Sequence, residues 1–125
     1  MMGEPIRVLI VDDRPRARKS VKALLSTSQR VGEICEAGNG REAVQLVKEL
    51  QPDVVLMDVR MPEMDGLNAT RRIKARWPQV SVVVLSMYLE CRDEATAAGA
   101  DAFASKGDAP DALLDILTVV MQKGV

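Results

Sequence analysis

The sequence predicts an α/β domain in which a parallel sheet carries helices on both faces, and three observations predict it. Short, mainly apolar runs alternate with longer segments of helical spacing along the whole chain. The run Val80–Leu85 is apolar except at Ser81, as suits a strand buried on both faces. Four such runs also stop at polar groups. Ile6–Val11 ends at Asp12 and Asp13, Val54–Met57 at Asp58, Val80–Leu85 at Ser86, and Ala102–Ala104 at Ser105 and Lys106. If these runs are parallel strands, their polar groups emerge together at the carboxyl edge, where open α/β sheets bind ligands.

The first strand is expected over Ile6–Val11. The first helix starts near Pro15, a residue suited to the first helical position, and carries Ala17, Val21, Leu24 and Leu25 at helical spacing. The second strand, Gly32–Ala37, has the weakest pattern. Gly38–Asn39–Gly40 marks a loop before a helix with Ala43, Leu46, Val47 and Leu50 on one face. Pro52–Asp53 ends that helix, and the third strand follows at Val54–Met57. Arg60–Gly66 is an ordered loop with a turn at Asp65–Gly66, leading to a helix over Leu67–Arg76. Pro78 precedes the fourth strand, Val80–Leu85, and a short helix near Cys91–Ala98 terminates at Gly99. The fifth strand is Ala102–Ala104. The last helix has Asp108 as N-cap and Pro110 in its first turn; Leu113, Leu117, Val120 and Met121 form its buried stripe, with Leu114 beside it.

Composition narrows the function. A chain of 125 residues suits one domain able to bury roughly two thirds of its unfolded surface. Aromatic residues are only 2%, so Val, Leu, Ile, Ala and Met must build the core. A net charge of −1 without a basic stripe or arm argues against direct nucleic-acid binding by this chain. No apolar stretch approaches the ~20 residues of a membrane span and no signal-peptide pattern opens the chain, so a cytoplasmic protein with no membrane contact is expected. There is no histidine, which removes histidine general bases and histidine-ligated zinc. Cys35 and Cys91 lie in no CxxC pattern and are expected to be unpaired thiols.

The gathered polar groups suit phosphoryl chemistry. Two like charges ~5 Å apart repel by roughly 3 kcal/mol at an effective dielectric near 20. A cluster of Asp12, Asp13 and Asp58 would therefore take up a proton or bind a cation, and oxygen-only ligands favour a hard ion such as Mg²⁺. Asp58, alone at the end of its strand, is the natural nucleophile. Lys106 would neutralise one phosphoryl oxygen and Ser86 would donate a hydrogen bond to another. Each residue alone has a plainer reading. Asp12 or Asp13 would be a turn former or helix cap, Ser86 a loop hydroxyl, Lys106 a solvated charge, Phe103 a core residue, and Met61 with Met64 loop packing. Their coincidence at four strand ends favours the site.

On these residues the chain resembles a bacterial two-component response-regulator receiver domain over essentially its whole length. The acidic pair Asp12–Asp13, the run from Met57 and Asp58 through Pro62 to Gly66, Ser86, Gly99–Phe103 and Lys106 carry the resemblance. It implies a flavodoxin-like, doubly wound five-stranded parallel sheet in the order 2-1-3-4-5, flanked by five helices. It also implies that Asp58 accepts a phosphoryl group from a partner sensor histidine kinase. Asp13 and Asp58 would bind Mg²⁺ directly with the backbone carbonyl of Arg60, and Asp12 through water. Ser86 and Lys106 would contact the attached phosphoryl group. Phe103 would be the switch aromatic, following Ser86, and the fourth helix, fifth strand and fifth helix would form the output face. Arg60 and Tyr88 would border the path of the hydrolytic water and tune the lifetime of the phosphoaspartate.

Two positions depart from the common pattern. Gly107 follows Lys106 where many receivers have proline, so the lysine loop is expected to be held differently. Phe103 replaces the tyrosine of some relatives, so switching there must work through packing. Ser105–Lys106–Gly107–Asp108 resembles receivers of LuxR-type, helix-turn-helix transcriptional regulators. The chain is thus expected to be one receiver domain over residues 1–125 with no effector domain, either part of a longer regulator or stand-alone. Regulation of transcription through an attached or partner DNA-binding domain, and a homodimer on phosphorylation, follow from the same resemblance. Enzymatic turnover is not expected beyond self-phosphotransfer and slow autodephosphorylation. An aspartate-nucleophile phosphatase of the haloacid dehalogenase type would need a D-x-D pattern, and Arg60 stands where its second aspartate belongs. A binding module independent of phosphorylation is the other alternative, and the intact site residues argue against it.

Overall fold

The computed structural model of the protein describes residues 5–107 and 110–122. In chain order the elements are β1 (Ile6–Val11), α1 (Pro15–Leu25), β2 (Val31–Ala37), α2 (Gly40–Leu50), β3 (Val54–Asp58), α3 (Gly66–Arg76) and β4 (Ser81–Ser86). A 3₁₀ turn (Leu89–Cys91), α4 (Arg92–Ala97), β5 (Ala102–Ser105) and α5 (Pro110–Gln122) complete the domain. The strands form one sheet in the order β2-β1-β3-β4-β5, and every pairing is parallel.

Alternation along the strands divides the apolar side chains between two cores. Leu9, Val11, Val55, Met57, Val82 and Val84 pack under α2, α3 and α4. Val8, Ile10, Val54, Leu56, Val83 and Leu85 pack under α1 and α5. The central strand β3 is buried at every position, as suits its apolar run Val54–Met57, and carries Asp58 buried at its end. At the edge, β2 alternates poorly and is mostly half-buried or exposed, which explains its weak pattern.

Register brings the strand ends together. Val11 lies opposite Met57, so Asp12 and Asp58 begin level. Asp58 lies opposite Leu85, and Ser86 opposite Ser105. Lys106 therefore starts about two residues beyond Asp58 along the strand direction, and its long side chain reaches back to the carboxylates.

Local chemistry sets the helix ends. Asn39 accepts from the Glu42 N–H at 2.8 Å to cap α2, and Asp65 accepts from the Asn68 N–H at 2.8 Å to cap α3. Gly66 donates its N–H to the Val59 carbonyl at 2.8 Å, and a Cβ there would run into the Asp58 carbonyl oxygen. Gly99 follows α4 with φ +99°, the left-handed conformation expected of a helix terminator.

Several boundaries differ from expectation. β3 includes Asp58, β4 starts at Ser81 and includes Ser86, β5 runs on through Ser105, and β2 begins one residue early at Val31. The expected Cys91–Ala98 helix is a 3₁₀ turn followed by α4, because the Cys91 N–H bonds the Tyr88 carbonyl three residues back. Leu113, Leu117 and Val120 of α5 are buried, whereas Met121 and Leu114 are only half-buried. In α1 only Leu25 is fully buried; Val21 and Leu24 lie at the margin of its core and Ala17 is half-buried. The Asp108 cap falls outside the described residues. Cys35 and Cys91 are free thiols.

Candidate phosphoryl and cation site

At the carboxyl edge of the sheet, Asp12, Asp13 and Asp58 each present an oxygen within 4.8 Å of the others. Asp12 and Asp58 are buried and Asp13 is exposed. The Lys106 ammonium lies 2.8 Å from Asp12 Oδ2 and 3.1 Å from Asp58 Oδ1. One cation is thus shared between two carboxylates while a third stands beside them. The Lys106 loop is tied to β4 by its own N–H, which donates to the Ser86 carbonyl at 3.0 Å. Gly107 donates its N–H to Ser105 Oγ at 3.2 Å, and no peptide bond among the described residues is cis.

The two buried carboxylates have opposite electrostatics. Burial works to raise the Asp12 carboxyl, but the Lys106 hydrogen bond, the Arg14 N–H at 2.9 Å and the charges of Lys106 and Arg14 outweigh it and hold it below its usual value. Burial pushes the Asp58 carboxyl above its usual value; Lys106 offsets this only in part, and the Asp12 charge adds to it. Asp58 Oδ1 also accepts from the Val59 N–H at 3.0 Å.

A cavity of about 250 Å³ opens over this group, lined by Asp13, Arg14, Asp58, Arg60, Ser86, Met87, Tyr88 and Lys106. Ser86 is buried, and its Oγ accepts from the Tyr88 N–H at 2.9 Å. Its hydroxyl hydrogen is free to donate elsewhere. Arg60 is exposed, with its guanidinium 4.0 Å from the centre of the Tyr88 ring. The structure therefore brings Asp12, Asp13, Asp58, Ser86, Lys106 and Arg60 together. Phe103 lies apart from the cavity, half-buried on β5 opposite Val84, against the core beneath α4. Met61 and Met64 pack as loop residues against that same core.

Sequence reasoning missed the contacts of Arg14. It follows the acidic pair, lines the cavity and brings its Nε to 3.6 Å from Asp12 Oδ1. An arginine directly after two aspartates was the available signal. It also missed the stacking of Arg60 on Tyr88, which no local pattern announces.

Residues 8–118 match the family model described as the response regulator receiver domain. Among curated relatives, response regulator protein VraR of Staphylococcus saprophyticus is 40% identical over 86 residues, 69% of this chain and 41% of that protein. Transcriptional regulatory protein DegU of Brevibacillus brevis is 36% identical over 124 residues, 95% of this chain and 51% of DegU. The chain thus spans about half the length of the curated relatives it matches. Among solved structures, a LuxR-family two-component response regulator from Aurantimonas sp. SI85-9A1 superposes with a TM-score of 0.91 at 26% identity, covering 96% of this chain and 87% of that one. The response regulator domain of Thermotoga maritima CheB gives 0.88 at 28% identity, covering 95% and 98%.

Proposed function

The chain belongs to the response regulator receiver domain family, and from that premise we propose that it is a phosphorylation-dependent switch whose acceptor is Asp58. The observation that carries this reading is the sharing of Lys106 between Asp12 and Asp58, with Asp13 completing the cluster. Asp58 attacks the phosphorus of a phosphohistidine on a partner sensor kinase. A P–O bond forms, the P–N bond breaks, and the imidazole leaves with the electron pair. Lys106 then exchanges a carboxylate for a phosphoryl oxygen, and the free hydrogen of Ser86 donates to another.

The donor set fits Mg²⁺: three carboxylates, no nitrogen or sulfur, and one carboxylate exposed to water. Asp13, Asp58 and the Arg60 carbonyl would hold it directly, and Asp12 through water. Bound there, it would offset the repulsion between the attacking carboxylate and the incoming phosphoryl group. The output is regulation of transcription through an attached or partner DNA-binding domain, a reading supported by the relative named a transcriptional regulatory protein. Phosphorylation would favour a homodimer.

Intact mass after incubation with acetyl phosphate, with and without Mg²⁺, tests the acceptor. A Mg²⁺-dependent phosphoryl adduct on the wild type and none on Asp58→Asn is the expected result. No adduct with any donor would leave a constitutive binding module. Arg60 stacked on Tyr88 covers one side of the cavity. Arg60→Ala should therefore change the adduct's decay rate about two- to fivefold, the size of an exposed cation–ring contact. An unchanged rate would remove Arg60 from the path of the hydrolytic water.

A further inference from the structure

We propose that Arg92 is a positioning residue for the Phe103 ring, a latch tying the start of α4 to β5 that loosens when Asp58 carries a phosphoryl group. The inference rests on the reading of Asp58 as acceptor and concerns what lies beyond it. The Arg92 guanidinium sits 5.4 Å from the centre of the Phe103 ring, within the ~6 Å over which a cation is drawn to an aromatic face. Among the described residues no carboxylate forms an ion pair with Arg92, so the ring is its partner. Phe103 lies opposite Val84, and both belong to the core beneath α4. Ser86, two residues along β4 from Val84, points to the same side of the sheet. The ring and the site hydroxyl are therefore neighbours on one face.

What joins them is weakly held. Between β4 and α4, Met87 and Leu89 are 63% and 60% exposed and contribute little packing. The segment is fastened by Ser86 Oγ accepting from Tyr88, by Tyr88 under Arg60, by the buried Cys91 and by Arg92 on Phe103. A phosphoryl group that draws the Ser86 hydroxyl toward Asp58 strains the first of these and opens space beside Phe103. Arg92 opposes the ring's move into that space by holding it against α4. The latch thus biases a two-state equilibrium toward the unphosphorylated arrangement.

The chain has one phenylalanine, so biosynthetic 4-fluorophenylalanine yields a single ¹⁹F resonance, that of Phe103. The spectrum is recorded before and after acetyl phosphate with Mg²⁺, for wild type, Arg92→Gln and Arg92→Lys, with the Asp58 adduct followed by intact mass. In Arg92→Gln the unphosphorylated resonance should move toward the phosphorylated position, the ratio of the two states shifting about two- to fivefold. Arg92→Lys should recover part of that shift, and all three proteins should still form the Asp58 adduct. Resonances of Arg92→Gln that coincide with wild type in both states, or that move away from the phosphorylated position, would overturn the latch. A wild type that forms no adduct would instead remove the acceptor reading, while the unmodified spectra would still test the contact.

Discussion

Two lysines at opposite ends of the sheet are almost equally buried and do opposite things. Lys74 and Lys106 have side chains 17% and 16% exposed. At the amino edge, Lys74 donates three hydrogen bonds of 2.9 Å, to the carbonyls of Pro78 and Val80 and to Asp101 Oδ2. Asp101 in turn accepts from the Val82 N–H at 2.8 Å. One positive charge meets one negative charge, and three donors meet three acceptors. At the carboxyl edge, Lys106 and the exposed Arg14 together face three carboxylates, so negative charge is in excess. Burial is the same, and stoichiometry separates a clamp from a site. The clamp has nothing left to bind, whereas the site keeps carboxylate charge open to a cation.

The sharpest test of this contrast is Lys74→Met. It leaves Asp101 partly buried beside two unpaired carbonyls and should cost about 2–3 kcal/mol, or roughly 8–12 °C in Tm, while Asp58 still acquires its adduct. Thermal unfolding within a degree or two of wild type would show that the amino edge is no clamp.

Smaller effects, opposite in sign, are expected at the carboxyl edge in metal-free buffer at neutral pH. Asp58→Asn should raise Tm and Asp12→Asn should lower it. The raised Asp58 carboxyl contributes stability below its unfolded value of 3.8 and loses that contribution as pH rises through the folded value. The lowered Asp12 carboxyl contributes stability above 3.8 and loses it as pH falls through its folded value. Both differences from wild type should shrink as pH is lowered from 7 through the carboxylate range. Two variants that shift Tm in the same direction, or differences that persist in acid, would break the assignment of excess charge to Asp58.

Much of the site was legible because a parallel sheet turns sequence position into spatial position. An acid or hydroxyl just after an apolar run lies at the carboxyl edge whatever the helices do, so Asp12, Asp13, Asp58, Ser86 and Lys106 could be gathered in advance. Gly99 was legible for a similar reason: a helix stop needing positive φ leaves a glycine. The Lys74–Asp101 clamp was not, because its partners lie 27 residues apart among many other charges and no local pattern marks them. Arg60 on Tyr88 and Arg92 on Phe103 were hidden in the same way, since each depends on the path of two loops or elements rather than on spacing. The split between the 3₁₀ turn and α4 escaped because one hydrogen bond, Cys91 to Tyr88, decides it.

The close approach at Gly66 has a mechanical consequence. With no space for even a methyl group between α3 and the Asp58 carbonyl, and with the Gly66 N–H bound to the Val59 carbonyl, the backbone behind Asp58 is a tight abutment. A load applied at the Asp58 side chain cannot be absorbed there. The side with room to give is the thinly packed stretch after Ser86, where Met87 and Leu89 are exposed. The stiffness of one loop thus gives the domain a direction in which to deform.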